Sequence, residues 1–283
     1  RVLAGFPRPP SAVAIAPDGQ TLAIAGMDFL WRWDLDNAAG TELLPPEEPR
    51  WLNPEEAAKL LSKVRMTPLL SNQVGSPNPT PGQISQMVNP ELTDPVTALS
   101  FSPDGRQIVT STRGHGRAAR VWNMADGAIE FAFPALYSSA VMSPVAPVVA
   151  VGSSATPGAA RAGCVKFYDL EQRAEIWALP ESGGLVCFSG DGQSLVTVGA
   201  ATVPGTSQIT LWSLPERRLL KQFISKKVWN ILAFSPDGRW VALAGVNSSA
   251  IEIWSVEQEH LALELVGHNG AIRALTFSPD SRL

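Results

Sequence analysis

Short apolar runs recur along the chain, each broken by a tight turn. Ahead of one such turn, Val96, Ala98 and Ser100 fall on one side of an extended backbone and Thr97, Leu99 and Phe101 on the other. That two-residue period is the signature of a β-strand. Behind the turn comes a run of small and β-branched residues, "QIVTST", echoed further on by "SLVTVG". Near-continuous apolar strands of this kind suit a sheet covered on both faces. A third run closes on an aromatic-polar pair: Trp33-Asp34, Trp122-Asn123, Tyr168-Asp169, Trp212-Ser213 and Trp254-Ser255. A fourth follows in "AIEFAFP" (128–134), "AEIWALP" (174–180), "RLLKQFI" (218–224) and "LALELVG" (261–267).

The turn between the first two runs sets the repeat. It reads Pro-Asp-Gly at Pro17, Pro103 and Pro236, has Gly190 for the proline in a fourth copy, keeps Pro144 without Asp-Gly in a fifth, and ends Pro279-Asp280-Ser281 in the last. Proline presets φ for the first central residue of a type I turn, aspartate caps it, and glycine takes the left-handed conformation that closes the hairpin. The anchors at 17, 103, 144, 190, 236 and 279 are separated by 86, 41, 46, 46 and 43 residues, so four of the five gaps match a period of four short strands. A four-stranded antiparallel unit cannot bury both its faces alone, whereas radial stacking of successive units does so and makes a ring.

With its period, its Ser-Pro-Asp-Gly turns, Trp33-Asp34 and the late Gly267-His268, the chain resembles the WD-repeat β-propeller family over nearly its whole length outside residues 36–82. The resemblance implies an all-β propeller of four-stranded antiparallel blades, residues 1–283 forming one domain. Five blades are expected complete. The stretch "GHNGAIRALTFSPDSRL" reads as the exit of a fourth strand, a first strand and the start of a turn, and "RVLAG" (1–5) as an outer strand, so parts of another blade and an incomplete ring with unpaired edges are expected. Good blades of the family carry a hydrogen-bonded tetrad of glycine-histidine, a strand Ser/Thr, an aspartate and the tryptophan. Here Gly-His occurs only at Gly267-His268 and Trp-Asp only at Trp33-Asp34, so no unit can complete it and the blades should rest on apolar packing.

The first gap is about one repeat too long. Residues 36–82 show no strand alternation, and "RWLNPEEAAKLLSKVRM" reads as a Pro-flanked helical insertion, with a helix at about 54–65. Asn53 and Glu56 form a capping box, Pro54 suits the first position, and Ala57, Leu60, Leu61 and Val64 make one apolar stripe. A helix this short needs a docking place, on the propeller itself or on a partner. The fourth strand of the first unit is then expected in "GQISQMV" (82–88).

Alternating strand direction puts the second-to-third and fourth-to-first loops on one rim. The second-to-third loops are long in three consecutive units: 112–120, 152–163 and 199–208. Arg113, His115, Arg117, Arg120 and Arg161 make part of that arc basic, and Tyr137, Lys226, Lys227 and Trp229 lie near it. These loops are either solvated connections or a partner site, since binding residues gather on loops held by a rigid scaffold and aromatic residues beside cations anchor partners.

The net charge is −4 over 283 residues, which supplies no overall basic field for nucleic acid. No run of about 18 apolar residues suggests a membrane span. Cys164 and Cys187 have no metal-ligand spacing and read as buried free thiols. "GHGRAA" (114–119) fits the loose dinucleotide pattern but joins two strands where that pattern needs a strand and a helix. The recurrent aspartates are turn residues by spacing, and with three scattered histidines no cofactor, metal or catalytic set is expected. The expectation is a non-catalytic scaffold for protein partners. A regulatory propeller attached to a catalytic domain such as a protein kinase is the alternative. An enzyme with a site in the central channel is a third reading, disfavoured because the first strands carry no acids or histidines.

Overall fold

The computed structural model describes residues 10–26, 30–36, 39–42, 96–112, 119–133, 137–153, 163–180, 184–201, 203–245, 248–272, 274–278 and 281. Every regular element among them is a strand, and twenty strands form five four-stranded antiparallel sheets, each ordered as its strands follow along the chain. Blade 1 comprises β1 (Ala12–Ile15), β2 (Thr21–Ala25), β3 (Leu30–Asp34) and β4 (Ala39–Glu42). Blade 2 comprises β5 (Val96–Phe101), β6 (Gln107–Thr112), β7 (Ala119–Asn123) and β8 (Ile129–Phe133). Blade 3 comprises β9 (Tyr137–Met142), β10 (Val148–Ser153), β11 (Cys164–Asp169) and β12 (Ala174–Pro180). Blade 4 comprises β13 (Leu185–Phe188), β14 (Ser194–Ala200), β15 (Ser207–Ser213) and β16 (Arg218–Ser225). Blade 5 comprises β17 (Trp229–Phe234), β18 (Trp240–Gly245), β19 (Ile251–Ser255) and β20 (His260–Leu265). Inner strands of successive blades touch, β1 to β5, β5 to β9, β9 to β13 and β13 to β17, which sets the blades in a propeller ring.

The turn chemistry is built as its residues dictate. Ser102 donates its hydroxyl to Asp104 at 2.6 Å and accepts the Gln107 N–H at 2.9 Å. Ser189 with Asp191 and Ser194, and Ser235 with Asp237 and Trp240, repeat both distances. Gly105, Gly192 and Gly238 follow at φ +69, +67 and +72, the left-handed region where a side chain is strained. Blade 1 has Ala16 where the serine would stand, and Asp18 instead takes the Thr21 N–H at 2.9 Å and the Thr21 hydroxyl at 2.8 Å.

Burial follows the radial stacking. Ala23, Ala25 and Leu30 of blade 1 enclose Phe101, Ile108 and Trp122 of blade 2. Val109, Val121 and Phe133 of blade 2 meet Met142, Val149 and Val151 of blade 3. Blades 3 and 4 share Val165, Phe167, Phe188 and Leu195, and blades 4 and 5 share Val198, Ile209, Phe234 and Leu243. Blades 2, 3 and 4 thus each give one face to the blade before and the other to the blade after.

The aromatic residue that ends the third strand needs an acceptor for its indole N–H once buried. Trp122 donates to Thr110 Oγ1 at 2.9 Å and Trp212 to Thr197 Oγ1 at 3.4 Å. In blade 5 the threonine position is Leu243, and Trp254 turns to Glu252 Oε2 at 2.9 Å. Part of the tetrad chemistry therefore persists where the glycine-histidine is missing.

A second repeated contact ties neighbouring blades at their outer edge. The residue four places past the end of the third strand sits at positive φ: Arg173 (55°), Arg217 (50°) and Glu259 (58°). Each reaches back to the same position on the fourth strand of the preceding blade. Arg173 lies over the Phe131 ring at 5.7 Å and Arg217 over Trp177 at 5.4 Å. Glu259 pairs with Lys221 at 3.3 Å. Cross-strand register makes Phe131, Trp177 and Lys221 equivalent, facing Val121, Phe167 and Leu211. An ion pair between blades 4 and 5 thus replaces a cation–π pair used twice before.

Two expectations are corrected. The fourth strand of blade 1 is Ala39–Glu42, paired Trp31 to Glu42 and Asp34 to Ala39, and not 82–88. "AGTE" is short and has no apolar period, so pairing with β3 rather than its own pattern makes it a strand. The described residues of the 266–281 stretch form no strand, so the expected first strand of a further blade is not a sheet element. A strand needs a ladder partner for its backbone groups, and among the described residues none pairs with these. The insertion with its helix at about 54–65, the 82–88 segment and "RVLAG" lie outside the described residues.

Candidate functional site

In each blade the antiparallel order sends the turn after the first strand and the turn after the third to one rim, and the other connections to the opposite rim. Loops 113–118 and 154–162 leave that second rim between β6 and β7 and between β10 and β11, and 201–206 does so between β14 and β15. Their bases are anchored by close packing. Gly184, at the start of blade 4, donates its N–H to the Ser153 carbonyl at 3.1 Å. A Cβ on Gly152 would lie 2.3 Å from the Gly184 carbonyl oxygen, so only glycine lets the incoming chain of blade 4 settle against β10. One blade earlier, Ala140 donates its N–H to Ser111 Oγ at 2.8 Å. These contacts fix the spacing of the strand ends from which the connections leave.

The residues singled out in the sequence divide. Arg113, His115, Arg117 and Arg161 lie outside the described residues. Tyr137 opens β9 opposite Ser153, at the foot of loop 154–162. Arg120 lies near the start of β7, but it is buried opposite Thr110. Lys226 is exposed in the connection between blades 4 and 5. Trp229 is only 7% exposed and packs in the core shared by those blades, so its ring supports the fold and is not a free anchor.

Lys227 is held. Its ammonium meets Glu252 at 2.5 Å and Glu264 at 3.3 Å and lies 5.8 Å from the centre of the Trp229 ring. The hydrogen bond it donates to Glu252 raises its pKa above the usual 10.5, with Glu264 adding to the effect against the opposing pull of burial. Glu252 is the residue that sequence reasoning passed over. It is an acid inside the apolar strand "IEIWS", two places before Trp254, and its side chain is 5% exposed. An acid at a buried strand position was the available signal. It accepts the Trp254 indole on one oxygen and the Lys227 ammonium on the other, so blade 5 replaces a neutral Trp–Thr bond with a charged relay to the rim.

Among the described residues little else carries reactive chemistry. Burial pushes the Cys187 thiol up to about 11, which keeps it a thiol at neutral pH. Among the described residues no group of three or more His, Cys, Asp or Glu is placed to hold a metal ion. No helix of the described residues is long and apolar enough to cross a membrane.

Residues 86–123, spanning the approach to blade 2 and its first three strands, match the WD40 family, described as WD domain, G-beta repeat. A search of curated proteins finds no match to the chain. The match falls on the blade with both the Ser-Pro-Asp-Gly turn and the Trp–Thr bond, and the same fold recurs in all five sheets. The chain is a WD-repeat β-propeller.

Proposed function

We propose that this propeller is a non-catalytic scaffold whose partner is a protein bound on the rim of long second-to-third loops. Propellers of this family commonly serve as protein-interaction scaffolds. One observation supports the placement: the second-to-third connections of blades 2, 3 and 4, at 113–118, 154–163 and 201–206, run to 6, 10 and 6 residues on the same rim, against 4 (26–29) and 5 (246–250) in blades 1 and 5, so the longest stands in blade 3 with the basic loop of blade 2 beside it. Arg113, His115, Arg117 and Arg161 belong to two of those loops, and Lys226 is exposed on the same rim. Such an arc favours an acidic segment of a partner, because opposite potentials steer encounter and fix register. Tyr137 supplies an aromatic position at the foot of the arc. Lys227 contributes less, since two carboxylates already share its charge.

Arg113→Glu, Arg117→Glu and Lys226→Glu, introduced together, test the reading. The variant is expected to keep the parent's melting temperature and to lose the proteins that co-purify with it. Those proteins should cross-link to residues 113–118 or 154–162 in the parent. An unchanged set of co-purifying proteins, or cross-links confined to the opposite rim, sinks the rim as the binding surface.

A further inference from the structure

Between blades 4 and 5 the chain passes through a run whose side chains are sorted by side. Ile224, next to last in β16, is 54% exposed, and Val228, just before β17, is 53% exposed. Lys226 between them is exposed as well. Ser225 and Trp229 are buried. Lys227 turns its ammonium to Glu252 and Glu264 in blade 5. The run therefore shows solvent an apolar, a cationic and an apolar side chain in order.

Contacts at both ends and in the middle hold this shape. Ser225 pairs with Ser207, the first residue of β15, and its hydroxyl accepts the Lys227 N–H at 3.3 Å. Trp229 pairs with Gly245, and its ring packs in the core shared by blades 4 and 5. A Cβ on Gly245 would come within 3.0 Å of the Val228 carbonyl oxygen, so the connection runs directly over the end of β18. Lys227 holds the middle. Glu252 and Glu264 face each other across β19 and β20, a like-charge pair that repels unless a cation stands between them. Lys227 is that cation, and in meeting both carboxylates it ties the exposed connection to blade 5.

We propose that residues 224–228 are a preformed contact strip for a partner segment in which an acidic residue stands between apolar ones, and that Lys227 is the positioning residue of that strip. Lys226 takes the carboxylate, and Ile224 and Val228 take its apolar neighbours. The argument joins charge complementarity to preorganisation. Glu252 and Glu264 are committed to Lys227, so the exposed charge of the strip is that of Lys226. A cation on a connection already held in place loses less freedom on binding than one on a loose loop. Lys227 acts through Lys226 and Val228, its neighbours in the chain, and does not itself touch the partner. The proposal rests on the scaffold reading, whose acidic partner it narrows, but needs none of the arginines of the other loops.

The probe is a short synthetic peptide with one glutamate between a leucine and a valine and with glycine-serine ends. Titrated into the full chain at low salt, it is expected to shift the amide resonances of 224–229 saturably. The same peptide with glutamine for glutamate should bind about threefold more weakly, the size of an exposed charge pair. Lys226→Glu should weaken the glutamate peptide at least as much. Lys227→Met with Glu252→Gln leaves the net charge unaltered, so it reads position and not field. That double variant should bind the peptide about threefold more weakly and exchange its 226–228 amides about tenfold faster, with β14 and β15 unchanged. Lys227→Arg keeps a cation on the two glutamates and should bind as the parent does. Equal binding of the two peptides, or shifts confined to other loops, overturns the strip. Parent-like binding by Lys227→Met/Glu252→Gln overturns the role of Lys227. Arg113→Glu with Arg117→Glu should leave peptide binding unchanged, which separates the two readings. A parent that ignores the peptide yet loses its co-purifying proteins in that arginine variant sinks the strip and keeps the arc, and the reverse result sinks the arc and keeps the strip.

Discussion

A buried indole illustrates how one side chain obliges the next. Trp254 ends its strand where Trp122 and Trp212 end theirs, but Leu243 offers its N–H no acceptor. Glu252 supplies one, and its buried charge then requires Lys227. Removing only the cation should cost more than removing the whole charged arrangement, because an unpaired carboxylate is left in the blade. Lys227→Met is expected to lower stability by about 1–2 kcal/mol, moderated by the half-exposed position of the ammonium. Lys227→Met with Glu252→Gln keeps an acceptor for Trp254, removes the charge and should recover most of that loss. Urea unfolding of both variants checks this. A double variant as unstable as the single one would show that the buried charge is not what Lys227 serves. The sign of the pH effect follows from the raised pKa of Lys227: its contribution is complete below 10.5 and fades as pH rises beyond that.

At the scale of elements, the clasp between blades tolerates a change of chemistry that a single strand cannot explain. Arg over an aromatic ring becomes Glu against Lys at the same two positions, and both residues change together. Lys221→Trp should therefore destabilise alone, since it sets an indole against Glu259. Adding Glu259→Arg should rebuild the contact made by Arg217 and Trp177. A double-mutant cycle is expected to give about 0.5–1 kcal/mol of favourable coupling, the range of a partly exposed cation–π pair; additive effects would mean that the two positions do not act as a clasp. None of this was legible beforehand, because Arg173, Arg217 and Glu259 carry no local sign of a left-handed backbone and meet their partners only once blades stack. Strands with their own alternation or turn chemistry were legible, from "QIVTST" to the Pro-Asp-Gly turns. "AGTE" was not, having neither, and it exists through its register with β3. The rim was legible as a topological consequence, yet the role of Trp229 was misjudged, since an aromatic residue beside lysines looks the same in sequence whether its ring faces solvent or the neighbouring blade.

For the whole molecule, repetition means that one weak local device acts several times in concert. The turns of blades 2, 4 and 5 each hold an aspartate below its usual value of 3.8. Asp104 and Asp191 are lowered chiefly by the hydroxyls of Ser102 and Ser189. At Asp237 partial burial pulls upward, but the Ser235 hydroxyl and the Arg239 N–H outweigh it. Folded pKa values below the unfolded one mean that the unfolded chain takes up protons first as pH falls. Stability is then fully present above 3.8 and drains away below it. Because neighbouring blades share their cores, the three turns should contribute to one transition, as stacked units do when interface energies dominate. Asp104→Asn, Asp191→Asn and Asp237→Asn together keep an oxygen acceptor for each serine while abolishing the titration. The triple variant is expected to be less stable than the parent at pH 7 and to converge on it between about pH 4 and pH 2.5, where the parent loses what the variant never had. Guanidinium unfolding at half-unit pH steps measures the difference directly. A gap that stays constant across that interval would place the value of these aspartates in their shape rather than their charge, and would remove the turns from the acid response of the ring.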